Sequence, residues 1–321
     1  MQLIKRIRKY LEVLISRLGM LLIPLLPRPV ILFTSKLLGD SAYILPLEIK
    51  RIGIANLDIA YGGSKTQKEK KRILRNSFRT FALVILDIFW FTKHPEKRIP
   101  KHVRFDPELN ELFESKPHVC ITAHLGNWEL LGHAVSMKGY PLHSVAAPLA
   151  NPALEPIFNR IRIISGQQII PRQGAIRAML RILKGSGKIG LLLDQNTKPS
   201  EGGIFVDFMG KPAPISESAA ALSLRTRADI LFGFCIPKSD GSYYVHTARK
   251  LVVDDYVTMD RDKAIEACTR NIAHVIEKAI QDYPGSWLWM YKRWKFKAPD
   301  DRNGEYPYYA RELGDGEKRR S

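Results

Sequence analysis

The chain has 321 residues, of which 45% are apolar, so it can bury a substantial core and is not a disordered chain. Its 50 basic and 32 acidic residues leave a net charge of +18, which predicts a surface that attracts nucleic acid, anionic lipid, phosphorylated substrates or acidic proteins. Three widely spaced cysteines, Cys120, Cys235 and Cys268, argue against a disulfide framework and against a zinc cluster. They are typical of a reduced, cytosolic catalytic domain.

Residues 1–40 start with basic residues and continue with a largely apolar stretch. No cleavage site of a signal peptide is recognisable. Arg17, Arg28 and Lys36 interrupt the apolar stretch, and three prolines break its helix, which disfavours a simple transmembrane helix. We expect a membrane anchor that lies in the interface, with a single kinked span or a soluble core helix as alternatives.

Residues 66–92 have the pattern of a helix with a basic first half and an apolar second half. One interpretation is a solvated face that leads into a buried end. The other is a second surface that faces an anionic membrane, because basic amphipathic helices favour anionic headgroups. The sequence does not decide between them.

Residues 117–250 alternate between short apolar runs and helical patterns. This alternation predicts an α/β fold whose mixed, partly parallel sheet is flanked by helices, in a single domain over 41–299. The predicted strands are 118–123, 142–147, 167–171, 188–193, 229–236 and 242–248. The predicted helices are 128–138, 152–163, 174–184, 215–227 and 261–282. We expect the polar tail, 300–321, to be loose.

The stretch "ITAHLGNWE" ends a predicted strand on His124 and places Glu129 in the first turn of the following helix, with Asn127 as a suitable N-cap. Ligands of open α/β sheets bind at the carboxyl ends of the strands, where His124 lies. Glu129 is then expected to contact one ring nitrogen of His124 and to orient it as a general base. In such a site the attacking group is a hydroxyl of the substrate.

Other candidate residues have a structural and a functional interpretation. Asn127 is either only a helix cap or also a hydrogen-bond donor in the site. Asp194 ends the strand over 188–193 and is expected at the same sheet edge as His124, as support for the site. Arg160 and Arg162 are either surface charges or bind phosphate or a thioester carbonyl, which suits a rigid guanidinium. Four further basic residues follow one another at helical spacing: Arg177, Arg181, Lys184 and Lys188. They form either a solvated helix face or a surface that contacts an acidic carrier protein or lipid phosphate.

The stretch "ITAHLGNWELLG" resembles the His-x4-Glu motif of the lipid A biosynthesis acyltransferases, the late acyltransferases of lipopolysaccharide assembly. The resemblance continues in order through residues 54–63, 151–216 and 283–295, and it covers about residues 15–297. Related glycerolipid acyltransferases have Asp where this chain has Glu129, and a Pro-Glu-Gly-Thr-Arg segment that "PSEGGIF" over 199–205 does not match. This departure favours the lipid A branch.

The resemblance implies a membrane-associated enzyme that moves a fatty acyl chain from acyl carrier protein to a hydroxyl of a lipid A precursor. It implies a location at the cytoplasmic face of the inner membrane, at an anionic membrane surface. His124 is then the general base and Glu129 its orienting partner. Arg160 or Arg162 matches the family's functional arginine, and Asp194 with Gln195 matches its Asp-Gln pair.

The chemistry implied by the resemblance needs no cofactor and no metal, because the donor, an acyl carrier protein or coenzyme A thioester, is a substrate. An acyltransferase for phospholipids or mannosylated inositol lipids on the same scaffold stays an alternative. A basic protein that binds nucleic acid or anionic membranes without catalysis is a third possibility. No nucleic-acid-binding motif is recognisable, and nucleic acid is therefore not an expected partner.

Overall fold

The structure is a computed structural model of the chain. It describes residues 2–107, 116–139, 142–146, 149–171, 173–247, 250–299 and 306–318. The ends of two predicted strands, at residues 147 and 248, lie outside the described residues.

Helices make up most of the first third of the chain and flank the strands in the rest. The helices are α1 Gln2–Leu22, α2 Arg28–Ile44, α3 Glu48–Tyr61, α4 Gln67–Trp90, α5 Pro95–His102, α6 Trp128–Ser136, α7 Glu155–Ile163, α8 Ala175–Lys184, α9 Ser218–Thr226 and α10 Arg261–Asp282. The strands are β1 Val103–Phe105, β2 His118–Thr122, β3 Leu142–Ala146, β4 Gln168–Pro171, β5 Lys188–Leu192, β6 Gly203–Phe208, β7 Lys211–Ser216, β8 Asp229–Pro237 and β9 Tyr243–Thr247.

Within the described ranges, seven strands form one sheet in the order β1-β9-β8-β2-β5-β3-β4. All neighbouring strands are parallel except β8 and β9, which pair antiparallel as a hairpin. The predicted mixed, partly parallel sheet is therefore confirmed, and each of the six predicted strands is present. Connections through helices permit this arrangement, because parallel strands need long crossovers.

Alternate side chains of the central strand β2 face two separate cores. Val119 and Ile121 are buried in a core that contains the apolar faces of α8, α9 and α10. Cys120 packs against a second core, to which α2, α5 and α6 contribute. The two cores therefore lie on opposite faces of the sheet. Helix α10 has the predicted bounds, and α4 begins with a capping box in which Thr66 and Glu69 bond reciprocally.

The hairpin of β6 and β7 was not predicted from the sequence; its register pairs Phe205 with Pro214 and Asp207 with Pro212. Prolines within a run argue against a strand, but they are tolerated in a two-stranded ribbon with free edges. The predicted helix over 215–227 is consequently shorter and begins at Ser218, after β7 ends.

The prolines after residue 22 separate α1 from α2, as predicted. Among the described helices, none is long and apolar enough on its own to cross a bilayer, and only α2 and α3 taken together, at 88° to each other, meet that requirement. Many large apolar side chains of α1 and α2 are nevertheless exposed. They are Ile7, Tyr10, Leu11, Leu14, Ile15, Leu18, Leu21, Leu22, Val30, Phe33, Leu37, Leu38 and Ile44.

Arg28 does not face a solvent or membrane interface; it is buried. Its guanidinium pairs with both carboxylate oxygens of Asp87 in α4 and donates to the carbonyl of Gly241 through Nε and Nη2, at 3.2 and 3.0 Å. Tyr243 and Asn127 also donate to Asp87. This buried cluster ties α2 to α4, to the turn before β9 and to the residue that caps α6.

The tail is not loose where the structure describes it, contrary to our expectation. The hydroxyl of Tyr306 donates to the carbonyl of Pro212 at 3.0 Å, and Tyr309 donates to buried Asn56. Glu317 accepts from Arg311 at 2.6 and 2.8 Å and pairs with Lys198 at 3.0 Å. Two tyrosines and a paired carboxylate therefore hold a segment whose polar composition had suggested disorder.

We expect Arg28→Ala to reduce the free energy of unfolding by ~3–5 kcal/mol, because it leaves the fully buried Asp87 without its cation. Urea denaturation followed by circular dichroism measures the loss. Arg51→Ala is the control: Arg51 is 70% exposed in its pair with Glu48, and such pairs contribute only about 0–1 kcal/mol. Equal losses in the two variants would show that the buried pair contributes no more than an exposed one.

Candidate active site

His124 and Asp194 lie side by side because of the register between two parallel strands. β2 pairs with β5 so that Thr122 is opposite Leu192, and each chain continues for two residues past that pair. Nδ1 of His124 lies 2.8 Å from Oδ1 of Asp194, and the backbone N–H of His124 donates to Oδ2 at 3.0 Å. Both residues therefore sit at the carboxyl edge of the sheet, as predicted.

Asp194 is buried and has a third donor, the indole Nε1–H of Trp287, at 2.8 Å. Burial alone would raise the pKa of Asp194, but the charge of His124 and these hydrogen bonds bring it below its ordinary value. The carboxylate is therefore ionised, and Nδ1 of a neutral His124 carries the proton that it donates. This leaves the lone pair of the imidazole on Nε2.

Burial alone would also lower the pKa of His124, yet attraction to Asp194, its hydrogen bond and the charge of Glu129 raise it above the ordinary 6.5. The ring is 19% exposed, and its Nε2 lies 3.3 Å from the side-chain nitrogen of Gln195. Trp128 packs edge-on against it, with ring centroids 4.8 Å apart. The imidazole is thus fixed on three sides, with Nε2 as its basic atom.

The turn between His124 and α6 requires glycine at position 126. Gly126 has φ +65°, and a Cβ there would lie 2.1 Å from the carbonyl oxygen of Cys235. The adjacent N–H of Asn127 donates to that same oxygen at 2.7 Å, and the N–H of Gly126 donates to the carbonyl of Ser286 at 3.0 Å. The turn is therefore held by β8 on one side and, on the other, by Ser286 in the segment 283–295 that follows α10.

Glu129 does not orient His124 through a hydrogen bond, because Asp194 occupies Nδ1. The carboxylate of Glu129 instead accepts two hydrogen bonds from Arg162 of α7, from Nε at 3.0 Å and from Nη2 at 2.7 Å. Burial alone would raise the pKa of Glu129, but Arg162 brings it below its ordinary value. The predicted contact between Glu129 and the imidazole is thus wrong, although Glu129 lies close enough for its charge to act on the ring.

The structure distinguishes the two candidate arginines. Arg162 is largely buried in its pair with Glu129 and lines the cavity at the site. Arg160 is exposed and lies outside that cavity, and no ion pair of Arg160 is found within the described part of the chain. The surface-charge interpretation therefore fits Arg160, and the site interpretation fits Arg162.

Asn127 caps α6, as predicted, by accepting from the N–H of Leu130 at 3.0 Å. Its amide nitrogen donates into the buried cluster, to Asp87 at 3.3 Å and to Tyr243 at 3.4 Å. Only 1% of the residue is exposed and it does not line the cavity. The expectation that Asn127 also offers a donor in the site is therefore wrong, because both ends of its amide are used inside the protein.

A cavity of about 590 Å³ opens at His124 and extends beneath α6. This volume lies within the range of about 300–1,000 Å³ that is usual for ligand sites. Polar side chains line it: Gln195, whose side chain contacts His124, and Glu129, Arg162, Asn196, Thr197, Glu201, Ser144 and Gln167. Apolar side chains of α6 and the sheet also line it: Leu131, Val135, Leu142, Leu231 and Val245. The cavity therefore suits a ligand with a polar reacting end and an apolar chain.

An aromatic segment near residue 290 follows α10 and carries three tryptophans. Trp287, Trp289 and Trp294 are at most 1% exposed, so the segment belongs to the core. Beyond the Trp287 bond to Asp194, the N–H of Leu288 donates to the carbonyl of His124 at 3.1 Å. Trp287 and Leu288 therefore support the two site residues directly, a role that no local sequence pattern indicated.

Asn196 follows Asp194 and Gln195 and is held by the same segment. Its N–H donates to the hydroxyl of Tyr291 at 3.2 Å, and its amide nitrogen donates to the carbonyl of Lys292 at 2.8 Å. Its amide oxygen accepts from Arg293 at 2.8 Å. Arg293 is fully buried, and burial lowers the pKa of its guanidinium to about 10. The strand-end loop that carries Asp194 is consequently rigid.

The arrangement provides an imidazole that can act as a base and a fixed cation, and among the described residues no serine, threonine or cysteine side chain hydrogen-bonds to His124. Cys120 lines the cavity, yet burial raises the pKa of its thiol to about 12, so it is protonated and inert. Among the residues that the structure describes, no group of three or more His, Cys, Asp and Glu side chains is arranged to hold a metal ion. A base without its own nucleophile activates a hydroxyl or a water that a substrate complex places at Nε2.

Comparison with known proteins identifies the family of the chain. Residues 4–296 match the family model described as bacterial lipid A biosynthesis acyltransferase. The chain is 24% identical over 278 residues to the lipid A biosynthesis palmitoleoyltransferase of Escherichia coli (strain K12), covering 84% of this chain and 86% of the relative. It has the same identity and coverage with a lipid A biosynthesis acyltransferase of Shigella flexneri.

A more distant relative is the phosphatidylinositol mannoside acyltransferase of Mycobacterium tuberculosis, 22% identical over 192 residues, which cover 58% of this chain and 57% of the relative. The family model extends over nearly the whole chain and includes both strand ends of the site. The chain therefore belongs to the bacterial lipid A biosynthesis acyltransferase family and is an acyltransferase.

Proposed function

We propose that this acyltransferase moves a fatty acyl group from an acyl carrier protein thioester to a hydroxyl of a lipid A precursor, with His124 as the general base. The observation that carries the proposal is the pair of His124 and ionised Asp194 at the mouth of a cavity with an apolar end. The relatives named for lipid A biosynthesis supply the substrate class.

In the proposed reaction, Nε2 of His124 takes the proton of the acceptor hydroxyl, whose oxygen attacks the carbonyl carbon of the thioester. A tetrahedral intermediate forms and collapses with cleavage of the C–S bond. The imidazolium then returns the proton to the departing thiolate, so that an ester and a thiol result. Asp194 stabilises the imidazolium and holds the ring in the tautomer that leaves Nε2 free. The contact between Nε2 and Gln195 is displaced by the incoming hydroxyl.

The cavity supports a direct transfer. Its apolar part between α6 and the sheet accommodates the acyl chain of the donor, because burial of each methylene contributes ~0.8 kcal/mol to binding. Arg162, fixed by Glu129, places a cation in the polar part, where the reaction develops negative charge or a phosphorylated acceptor binds. Gln195 lines the same part of the cavity.

We further propose that the chain works at the cytoplasmic face of the inner membrane, on an anionic lipid surface. The exposed apolar side chains of α1 and α2 support this part of the proposal, because they suit helices that lie in the membrane interface. The 3-10 turn Pro152–Leu154, which leads into α7, packs against α1, and Asn151 donates to the carbonyl of Lys9 at 3.0 Å. The interfacial helices therefore contact the element that carries Arg162.

The first prediction concerns the reaction itself. Detergent-solubilised protein, given acyl carrier protein thioester and a tetraacyl lipid A precursor, is expected to add one acyl mass to the precursor in mass spectrometry. His124→Ala should lose about 10²–10⁴-fold of the rate, because it removes the base. His274→Ala, which changes an exposed histidine of α10, should retain the rate.

Two outcomes of this assay would contradict the proposal in different ways. Transfer to a phospholipid or a mannosylated inositol lipid, but not to lipid A, would keep the chemistry and change the acceptor. An undiminished rate in His124→Ala would remove His124 as the base.

The second prediction concerns pH. Since Asp194 raises the pKa of His124 above 6.5, the acid limb of kcat/KM should lie above that value in the wild type. Asp194→Asn removes the charge that favours the imidazolium, which lowers the pKa of His124 and moves the acid limb to lower pH. The plateau should fall by about 10²–10⁴-fold, because the amide no longer fixes the productive tautomer. Asp255→Asn, at an exposed position, serves as the control and should change neither quantity. A limb that stays in place in Asp194→Asn would show that Asp194 does not act on the base.

The third prediction separates the two arginines. Arg162→Ala should reduce the rate by roughly 10²-fold, because it removes a fixed cation from the cavity, and Arg162→Lys should not restore it fully, because lysine lacks the bidentate fork. Arg160→Ala should leave the rate close to that of the wild type. Initial rates of acyl transfer under identical detergent conditions measure all three variants. Equal losses in Arg160→Ala and Arg162→Ala would contradict the assignment of the functional arginine to position 162.

A further inference from the structure

Helix α8 presents a row of cations on its outer side. Arg177, Arg181 and Lys184 are spaced by four and three residues, so they lie on one face of the helix, and all three are exposed. The opposite face, with Met179 and Leu183, is buried in the core. The helix contains no acidic residue. We call Arg177, Arg181 and Lys184 the α8 cationic face.

The charges of this face are not neutralised within the protein as described. None of the three side chains forms an ion pair with a described residue, whereas exposed cations of other helices have such partners. In α10, for example, Arg270 pairs with Glu266 and Lys278 with Asp282. A row of like charges on one helix face is unfavourable for the isolated chain. It is therefore an electrostatic feature that a partner of opposite charge can use.

The face begins at the mouth of the cavity. β4 ends at the same sheet edge as β2 and β5, so α8, which follows β4, starts at that edge and runs away from it. Residues of its first turns, Ala175, Ile176 and Met179, line the cavity. At 1.5 Å per residue, the distance along the helix from Arg177 to Lys184 is about 10 Å. A protein bound on this face is thus directly beside the entrance.

We propose that the α8 cationic face is the docking surface for the acidic acyl carrier protein that presents the donor thioester. This inference rests on the proposed function and names the surface on which the donor's protein part binds. Complementary charge steers such a partner and sets its orientation, so that its flexible arm enters the adjacent cavity. Ile176, 50% exposed beside Arg177, offers an apolar contact at the rim of the docking surface. The carrier leaves as the free thiol once the C–S bond has been cleaved.

The position of α8 favours a protein partner over a lipid surface. α8 packs with α9 and α10 in the core on one face of the sheet, whereas Ile31 and Leu32, beside the exposed Val30 and Phe33 of α2, pack in the core on the other face. A membrane-binding surface combines cations with many exposed apolar side chains, as on α1 and α2. Ile176 is the one large apolar side chain of α8 that is exposed, so the α8 cationic face resembles the charged rim of a protein interface.

The test compares two donors in one charge-reversal variant. The variant is Arg177→Glu/Arg181→Glu/Lys184→Glu, and the control is Lys68→Glu/Lys71→Glu/Arg72→Glu, which reverses three exposed charges of α4 that do not line the cavity. Each full-length protein is assayed with acyl carrier protein thioester and with the same acyl chain on pantetheine, which carries neither acidic protein nor phosphate.

With the carrier thioester, the α8 variant is expected to lose at least about 10-fold in kcat/KM, mainly through a higher KM, and added salt should reduce the wild-type rate towards that of the variant. With acyl-pantetheine, the variant should match the wild type, which also shows that it is folded. The α4 control should match the wild type with both donors. Sedimentation with anionic phospholipid vesicles should be equal for the wild type and the α8 variant.

Other results overturn the inference in distinguishable ways. An unchanged kcat/KM with the carrier thioester, or an equal loss with both donors, would show that the face does not dock the carrier. Loss of vesicle binding in the α8 variant alone would assign the face to the lipid surface. A wild-type protein that transfers from neither donor would instead refute the proposed function, before the variant is considered.

Discussion

The site depends on the register of two parallel strands at the centre of the sheet. Because Thr122 of β2 is opposite Leu192 of β5, the residues two positions further, His124 and Asp194, meet at hydrogen-bond distance. A shift of one residue in β2 relative to β5 would turn the side chain of His124 to the other face of the sheet, away from Asp194. The packed side chains of β2 prevent such a shift, since Val119 and Ile121 belong to one core and Cys120 packs against the other. The packing of the sheet therefore determines the geometry of the His124–Asp194 pair.

The segment 283–295, which follows α10, holds the two strand ends in place. The indole N–H of Trp287 donates to Asp194, and the backbone N–H of Leu288 donates to the carbonyl of His124. A carboxylate as deeply buried as Asp194 is stable in its ionised form only when donors surround it, and three hydrogen bonds meet this requirement. The same donors that keep the charge also prevent Asp194 from rotating away from the imidazole.

Sequence patterns predicted the parts of the fold that depend on local periodicity, and they failed where distant residues meet. The apolar runs located the six strands, and the position of His124 after one of them indicated a residue at the ligand-binding edge of the sheet. Glu129 appeared as its partner because it is near in sequence, whereas the actual partner, Asp194, is 70 residues away and is brought close by strand pairing. The buried role of Arg28 and the packed tail were invisible for the same reason. In each case a polar residue of a type common at the surface is held by a partner on a remote element.

The site differs from a protease-like triad in what it omits. A base oriented by a carboxylate normally activates a serine or cysteine of the protein, which then carries the acyl group. Here the cysteine that lines the cavity has a pKa of about 12 and is inert. Under the proposed direct transfer no acyl-enzyme forms, so the acceptor hydroxyl and the donor thioester must meet at Nε2 of His124 at the same time. The cavity at His124 combines polar groups, which suit the reacting ends, with apolar side chains of α6 and the sheet, which suit an acyl chain.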